Sequence, residues 1–202
     1  MSTLSKKKVT CVGLTGTMGS GKSKVLDIIK KQGFSVIDCD RINHRLLEKG
    51  EEGYQKILAT FHDSILREDE TIDVQKLSAY IFRDKEKKEK LETILHPLIQ
   101  NYIYTWMKQQ ENVAFVEVPL LFEVSWQHMF DEIWVVACDE EIALKRLSMY
   151  RNIDKEEAKK RIAHQMPQEE KVKQADVVLW NNEDESCLER HVKKELKRVS
   201  GR

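Results

Sequence analysis

The sequence predicts an α/β protein built on a parallel five-stranded sheet flanked by helices, and three observations carry that expectation. Five short runs rich in apolar and β-branched residues recur at Val9–Thr15, Phe34–Ile37, Val113–Val118, Glu132–Cys138 and Asp176–Trp180. The first is nearly continuous in its apolarity, the pattern of a strand buried on both faces. Helical stretches separate the five runs, and strands alternating with helices imply βαβ crossovers and parallel pairing.

After the first strand, a helix is expected from near Gly21, because Val25, Ile28 and Ile29 share one face and Gly33 sits where a left-handed C-cap belongs. Between strands two and three, Asp73 to Gln110 reads as several helices. Pro97 is placed to start one of them, with Ile99, Ile103, Trp106 and Met107 as its apolar stripe. Asp154 with Glu157, and Ser186 with Glu189, have the spacing of capping boxes. The last helix carries Leu188, Val192, Leu196 and Val199 at helical spacing, and Arg83 to Glu92 is a charge run read as a solvated face.

At 202 residues the chain can bury one good-sized core. Lys+Arg and Asp+Glu are equal at 34 each, so no field draws it to nucleic acid or an anionic membrane. Cys11, Cys39, Cys138 and Cys187 form no CxxC pair, and the six histidines form no HExxH. Met1 to Lys8 is polar and basic, and the apolar run after it is too short for a secretory core or a membrane span. A cytoplasmic protein is expected, monomeric or weakly homo-oligomeric, with neither nucleic acid nor membrane as partner.

The chemistry begins at Gly16-Thr17-Met18-Gly19-Ser20-Gly21-Lys22-Ser23, a full match to G-x-x-x-x-G-K-[ST] between a predicted strand and a predicted helix. Glycines let the backbone wrap a polyphosphate so that N–H groups and a helix N-terminus converge on its oxygens. Lys22 supplies a mobile positive charge to the β- and γ-phosphates, and the Ser23 hydroxyl a ligand for Mg²⁺. A glycine-rich turn serving only as a connection would not ask for the Lys-Ser that follows.

A phosphate loop alone does not separate kinases from switches or motors. Val36-Ile37-Asp38-Cys39-Asp40 adds two carboxylates past the end of strand two, at the edge where open α/β sheets bind ligands. An alcohol attacking the γ-phosphorus must lose a proton, and a carboxylate within reach can take it. Asp40 is the preferred base and Asp38 the one facing Mg²⁺. The reverse assignment stays open, as does Asp40 acting as N-cap of a helix starting at Arg41.

Several blocks then agree in order and spacing with one family: the chain resembles dephospho-CoA kinases from Val12 to about Asn182. That family's LTGGIGSGKST corresponds to Leu14–Lys24, and its VIDAD to Val36–Asp40. Its Leu-Glu-x-Ile-x-His-Pro-x-Ile corresponds to Leu91–Ile99, and its VPLLFE to Val118–Glu123. Its Arg-Ile-x-x-Gln corresponds to Arg161–Gln165, and its Lys-x-x-x-Ala-Asp-x-Val to Lys171–Val178.

The resemblance implies transfer of the ATP γ-phosphate, with Mg²⁺, to the 3′-hydroxyl of dephospho-CoA. It also implies a P-loop, nucleotide-kinase-like core formed by residues 1–40, 113–139 and 169–202. Residues 41–112 would be a helical substrate insertion and 140–168 a lid. Lys145, Arg146, Arg151, Lys159, Lys160 and Arg161 concentrate cations in that lid, with Arg146 and Arg161 the choices for the transferring phosphoryl group. Leu120, Leu121 and Glu123 after strand three, and His96, are expected on the acceptor side, although burial in the core is a rival role for Leu121 and for His96. Asn181 and Asn182 follow the last strand, where the family contacts adenine, and Asn182 is taken as the nucleotide contact; a turn is the rival reading.

The chain departs from the family pattern at five positions. Thr17 replaces a second glycine, Lys24 a threonine, Val74 an arginine, Ala143 a lid glutamine and Glu183 a glycine. Thr17 narrows the loop's freedom, Lys24 adds charge near the nucleotide, and Val74 removes a possible contact to acceptor phosphates. Two rival functions remain: a kinase of a nucleoside or nucleoside monophosphate on the same core, and a non-kinase nucleotide switch. The chain has no NKxD guanine signature to favour the second.

Overall fold

The computed structural model describes residues 9–82 and 84–201. Met1 to Lys8 and Arg83, at the head of the charge run, lie outside them. Two compact units form, one from residues 9–37 with 107–201 and the other from residues 38–106.

In the first unit lie β1 (Thr10–Gly16), α1 (Lys22–Lys31) and β2 (Ser35–Asp38), whose last residue already belongs to the second unit. The second unit holds α2 (Cys39–Leu46), α3 (Glu52–Phe61), α4 (Val74–Phe82) and nearly all of α5 (Lys85–Met107). The chain then returns to the first unit with β3 (Val113–Glu117), β4 (Glu132–Ala137), α6 (Glu140–Arg151) and α7 (Lys155–Ala163). It ends with α8 (Gln168–Lys173), β5 (Val177–Trp180) and α9 (Glu185–Ser200).

The five strands make one parallel sheet in the order β2-β3-β1-β4-β5. Val12 stands opposite Phe115 on one side and Glu132 on the other, so β1 is central. The chain leaves β1 toward β2 and β3 on one flank and toward β4 and β5 on the other. That reversal opens a crevice at the carboxyl end of β1, where such sheets bind ligands. One face of the sheet, with Val12, Leu14, Phe115, Trp134, Val136 and Leu179, packs under α1 and α9 in a continuous core. On the other face Gly13 is obligatory in size: a Cβ there would lie 2.7 Å from the Phe130 ring and 2.8 Å from Leu121.

Three sequence expectations need correction. Pro97 starts no helix but lies inside α5. A proline in a helix interior costs about 3 kcal/mol. Leu91, Leu95, Ile99, Ile103 and Met107 recur every fourth residue and are all buried, and at about 1.5–3 kcal/mol each their burial outweighs that cost.

Nor does Ser186 cap the last helix. Asp184 does, accepting from the Cys187 N–H at 2.9 Å, while the Ser186 hydroxyl donates to the same oxygen at 2.7 Å. A carboxylate is the better acceptor for a helix N-terminus. Finally, α2 starts at Cys39 rather than Arg41, with Asp38 as N-cap accepting from the Asp40 N–H at 2.7 Å. Asp40 is therefore a first-turn residue and not a cap. The Asp154 cap is present, accepting from the N–H groups of Glu156 and Glu157, but the Glu157 carboxylate faces Arg161.

Candidate active site

Residues 16–23 form a tight loop from the end of β1 into α1. Gly16, Gly19 and Gly21 have φ of 153°, 84° and 98°, conformations that side chains rarely adopt. Space is as restrictive as the backbone: a Cβ on Gly16 would sit 2.3 Å from the Val136 carbonyl, and one on Gly21 2.2 Å from Asn181 Nδ2. The Lys22 ammonium folds back over the loop, donating to the Gly16 carbonyl at 2.8 Å and the Thr17 carbonyl at 3.1 Å. It thereby places a positive charge over the carbonyls at the front of the loop. Ser23, next in α1, is exposed.

Behind the loop, Arg146 and Asn181 lock three elements together. Arg146 donates to the Ser20 carbonyl at 3.4 Å and to the Asn181 carbonyl and side-chain oxygen at 3.0 and 3.3 Å. Asn181, 7% exposed, donates from Nδ2 to the Ser20 carbonyl at 2.8 Å. Asn182 is exposed and exchanges hydrogen bonds with Asp139, donating to its carboxylate at 2.9 Å and accepting from its N–H at 2.8 Å. Of the two asparagines, it is Asn181 that joins the loop. Only its place directly after a strand at the ligand-binding edge hinted at this in the sequence.

On the loop's other flank, Gln165 Oε1 accepts from the Met18 N–H at 2.9 Å. Gln168 Oε1 accepts from the Thr17 hydroxyl at 3.3 Å. Thr17, the departure from a glycine, is thus buried and engaged through its hydroxyl. Thr17, Gln165 and Gln168 line a cleft of about 650 Å³ with Cys138, Asp139, Ala143, Ile162 and Trp180. Burial pushes the Cys138 thiol up, which keeps it protonated and unsuited to act as a nucleophile. Gln165 lies in a block quoted above for the resemblance, and nothing in its periodicity marked it as a loop partner.

Other expected site residues are placed differently. Lys24 pairs with Glu185 at 2.5 Å, so its added charge is balanced by a carboxylate. Arg161 pairs with Glu157 along α7 at 2.8 Å. Leu121 is fully buried against Gly13 and belongs to the core rather than to the lining of an acceptor pocket; Leu120, 44% exposed, is the accessible member of that pair.

Glu123 Oε1 accepts from the Met166 N–H at 2.8 Å and lies 2.8 Å from the ammonium of Lys171, which is fully buried. Among the described residues that ammonium has no well-aligned hydrogen-bond acceptor, so charge rather than alignment holds the pair. Burial pushes the Glu123 carboxyl up, but contacts from the Lys171 ammonium and the Met166 N–H outweigh it and hold the group below its ordinary value.

In the second unit, Asp40 is exposed on the first turn of α2 and His96 is half-buried within α5. Arg45 donates to the Tyr102 hydroxyl at 2.9 Å and lies over its ring. Val74, where the family has arginine, is 47% exposed at the start of α4. No three His, Cys, Asp or Glu side chains cluster as a metal centre among the described residues. Mg²⁺ asks for less, since one or two hard protein oxygens complete a shell otherwise made of phosphate oxygens and water. Ser23 and Asp38 offer donors of that kind. Among the described residues no helix is long and apolar enough to cross a membrane.

Comparison with known proteins follows the same outline. A family model described as dephospho-CoA kinase matches residues 10–186. A dephospho-CoA kinase of Listeria innocua is 42% identical over 176 residues, covering 85% of this chain and 88% of that protein. A crystal structure of a Thermus thermophilus protein superposes with a TM-score of 0.86 at 30% identity, over 96% of this chain and 100% of the other. The dephospho-CoA kinase from Campylobacter jejuni gives a TM-score of 0.71 at 29% identity, over 95% and 97% of the two chains.

Proposed function

This chain belongs to the dephospho-CoA kinase family, and from that premise we propose that it transfers the γ-phosphoryl group of ATP to the ribose 3′-hydroxyl of dephospho-CoA. The observation that carries the donor half is the loop at residues 16–23, with three glycines in conformations closed to other residues and Lys22 folded over its carbonyls. Such a loop aims backbone amides at phosphate oxygens before they arrive, so little reorganisation is left for the transition state. Lys22 then moves from the loop's carbonyls to the β- and γ-phosphates. Arg146 and Asn181 brace the loop at Ser20, on the side where the nucleotide base would lie.

On the acceptor side, Asp40 takes the hydroxyl proton as the oxygen attacks in line. The engagement of Asp38 as the α2 N-cap favours this assignment, because one Asp38 oxygen already accepts from the Asp40 N–H. Ser23 and Asp38 would hold Mg²⁺, which would neutralise charge on the β- and γ-phosphate oxygens when bound. His96, Leu120 and Glu123 remain the proposed acceptor-side residues, with Glu123 acting through the segment it anchors at Met166. The proposed lid, residues 140–168, would exclude water during transfer.

The test is an acceptor panel: purified chain, ATP and Mg²⁺ with dephospho-CoA or with each nucleoside monophosphate, scoring phosphorylated product. Phosphorylation of dephospho-CoA at the 3′ position is expected. Turnover of a nucleoside monophosphate without turnover of dephospho-CoA would overturn the proposal.

A further inference from the structure

The stretch that follows α7 grips two adjacent residues of the phosphate loop. Gln165 Oε1 accepts from the Met18 N–H at 2.9 Å, and Gln168 Oε1 from the Thr17 hydroxyl at 3.3 Å. Because a backbone N–H can only donate, the oxygen of the Gln165 amide must be the atom that faces Met18. The Met18 side chain meanwhile packs on Leu144, Leu147 and Ala158, together with Ile153 and Ile162. Main chain and side chain of one loop residue are thus both held by α6, α7 and the turn beyond them.

Gln168 is itself immobilised. Its amide accepts from the Cys138 N–H at 3.1 Å and donates to the Cys138 carbonyl at 2.9 Å, which fixes it to the end of β4. Gln165 therefore leaves a turn pinned to the sheet and reaches back to the front of the loop. Within the loop the Ser20 N–H donates to the Thr17 carbonyl at 3.2 Å, whereas the buried Ser20 hydroxyl has no hydrogen-bond partner among the described residues. Amides converging on a phosphate act strongly only if their directions are set beforehand, and small misplacements at a reacting centre are costly in rate.

We propose that Gln165 is a positioning residue for phosphoryl transfer: by accepting from the Met18 N–H it fixes the front of the phosphate loop and makes the order of that loop depend on the docking of α6 and α7. It acts through Met18 and touches neither reactant. This deepens the reading of residues 16–23 as the donor site and rests on it.

The experiment compares Gln165→Leu, which removes the acceptor, with Gln165→Glu, which keeps an oxygen at the same reach. Three quantities are read: kcat with saturating ATP and dephospho-CoA, the KM for dephospho-CoA, and hydrogen exchange of the Met18 amide by NMR without nucleotide. Gln165→Leu is expected to lower kcat about tenfold with the KM for dephospho-CoA within about twofold, and to speed Met18 exchange about tenfold or more as a protected amide opens. Gln165→Glu is expected to restore the slow exchange.

An unchanged kcat with unchanged Met18 exchange in Gln165→Leu would overturn the inference, as would failure of Gln165→Glu to protect the amide. If Gln165→Leu does not fold, Gln165→Met takes its place under the same criteria. Failure of the wild-type chain to bind ATP would instead undo the reading of the loop, and is seen before any variant is compared.

Discussion

Asn181 Nδ2 donates to the Ser20 carbonyl at 2.8 Å across a sequence separation of 161 residues, joining the end of the last strand to the middle of the phosphate loop. Both residues are buried. Asn181→Ala leaves the Ser20 carbonyl with only the 3.4 Å contact from Arg146, a loss of about 1–3 kcal/mol for a buried polar group deprived of its partner. The melting temperature is expected to fall by several degrees, on the scale of about 2–4 °C per kcal/mol for a chain of this size. The rise in melting temperature on adding ATP is also expected to shrink, and thermal scans with and without nucleotide check both.

Gly21→Ala tests the loop from the same contact. The new methyl would meet Asn181 Nδ2 at 2.2 Å on a backbone with φ of 98°. Strain of about 1–3 kcal/mol in the loop translates into about a tenfold or greater loss of ATP affinity. Isothermal titration with ATP measures it directly.

Lys22→Met removes the cation that lies over the Gly16 and Thr17 carbonyls. Loss of one preorganised charge at a phosphoryl group is expected to lower kcat by about 10²–10³. Steady-state turnover is the measurement, and the KM for dephospho-CoA is expected to change little, since the role proposed for Lys22 is on the donor side.

Glu123 and Lys171 make a prediction about stability and pH. Glu123→Gln strands a fully buried ammonium, at a cost of about 3–5 kcal/mol, whereas Glu123→Gln combined with Lys171→Met is expected to recover much of it. The folded Glu123 carboxyl titrates below the ordinary value of 4.5. The unfolded chain therefore binds more protons than the native one in the window just below pH 4.5. Its contribution is fully present above that value and is lost as pH falls through the folded value. Urea unfolding of wild type and Glu123→Gln is expected to differ most near neutrality and to converge on acidification.

What was legible in the sequence was what is local. The central strands β1, β3 and β4 announced themselves because residues buried on both faces must be apolar without alternation, and all five strands lie within a residue or two of where Val9–Thr15 and its successors put them. The glycines and Lys22 were legible because their spacing answers to a single ligand geometry. Pro97 misled because its local cost was visible and the burial of Leu91, Leu95, Ile99 and Ile103 that outweighs it was not.

The residues that hold the loop in place were harder to see. Gln165 reaches Met18 and Asn181 reaches Ser20 across more than a hundred residues, and a neutral amide carries no periodicity or charge to mark it. Arg161 shows the same limit from the side of charge. Its place in a basic stretch suggested a phosphate ligand, and the stretch gave no sign of the pairing with Glu157 one turn away on the same helix.

In the proposed reaction the loop at residues 16–23 holds the polyphosphate while Asp40 prepares the attacking hydroxyl. The most direct measurement is Asp40→Asn, assayed for dephospho-CoA phosphorylation and titrated with ATP and Mg²⁺ in parallel. A fall in kcat of about 10²–10⁴, the range for losing a general base, with ATP affinity unchanged is the result expected. Full turnover in Asp40→Asn, with the same ATP affinity, would contradict it.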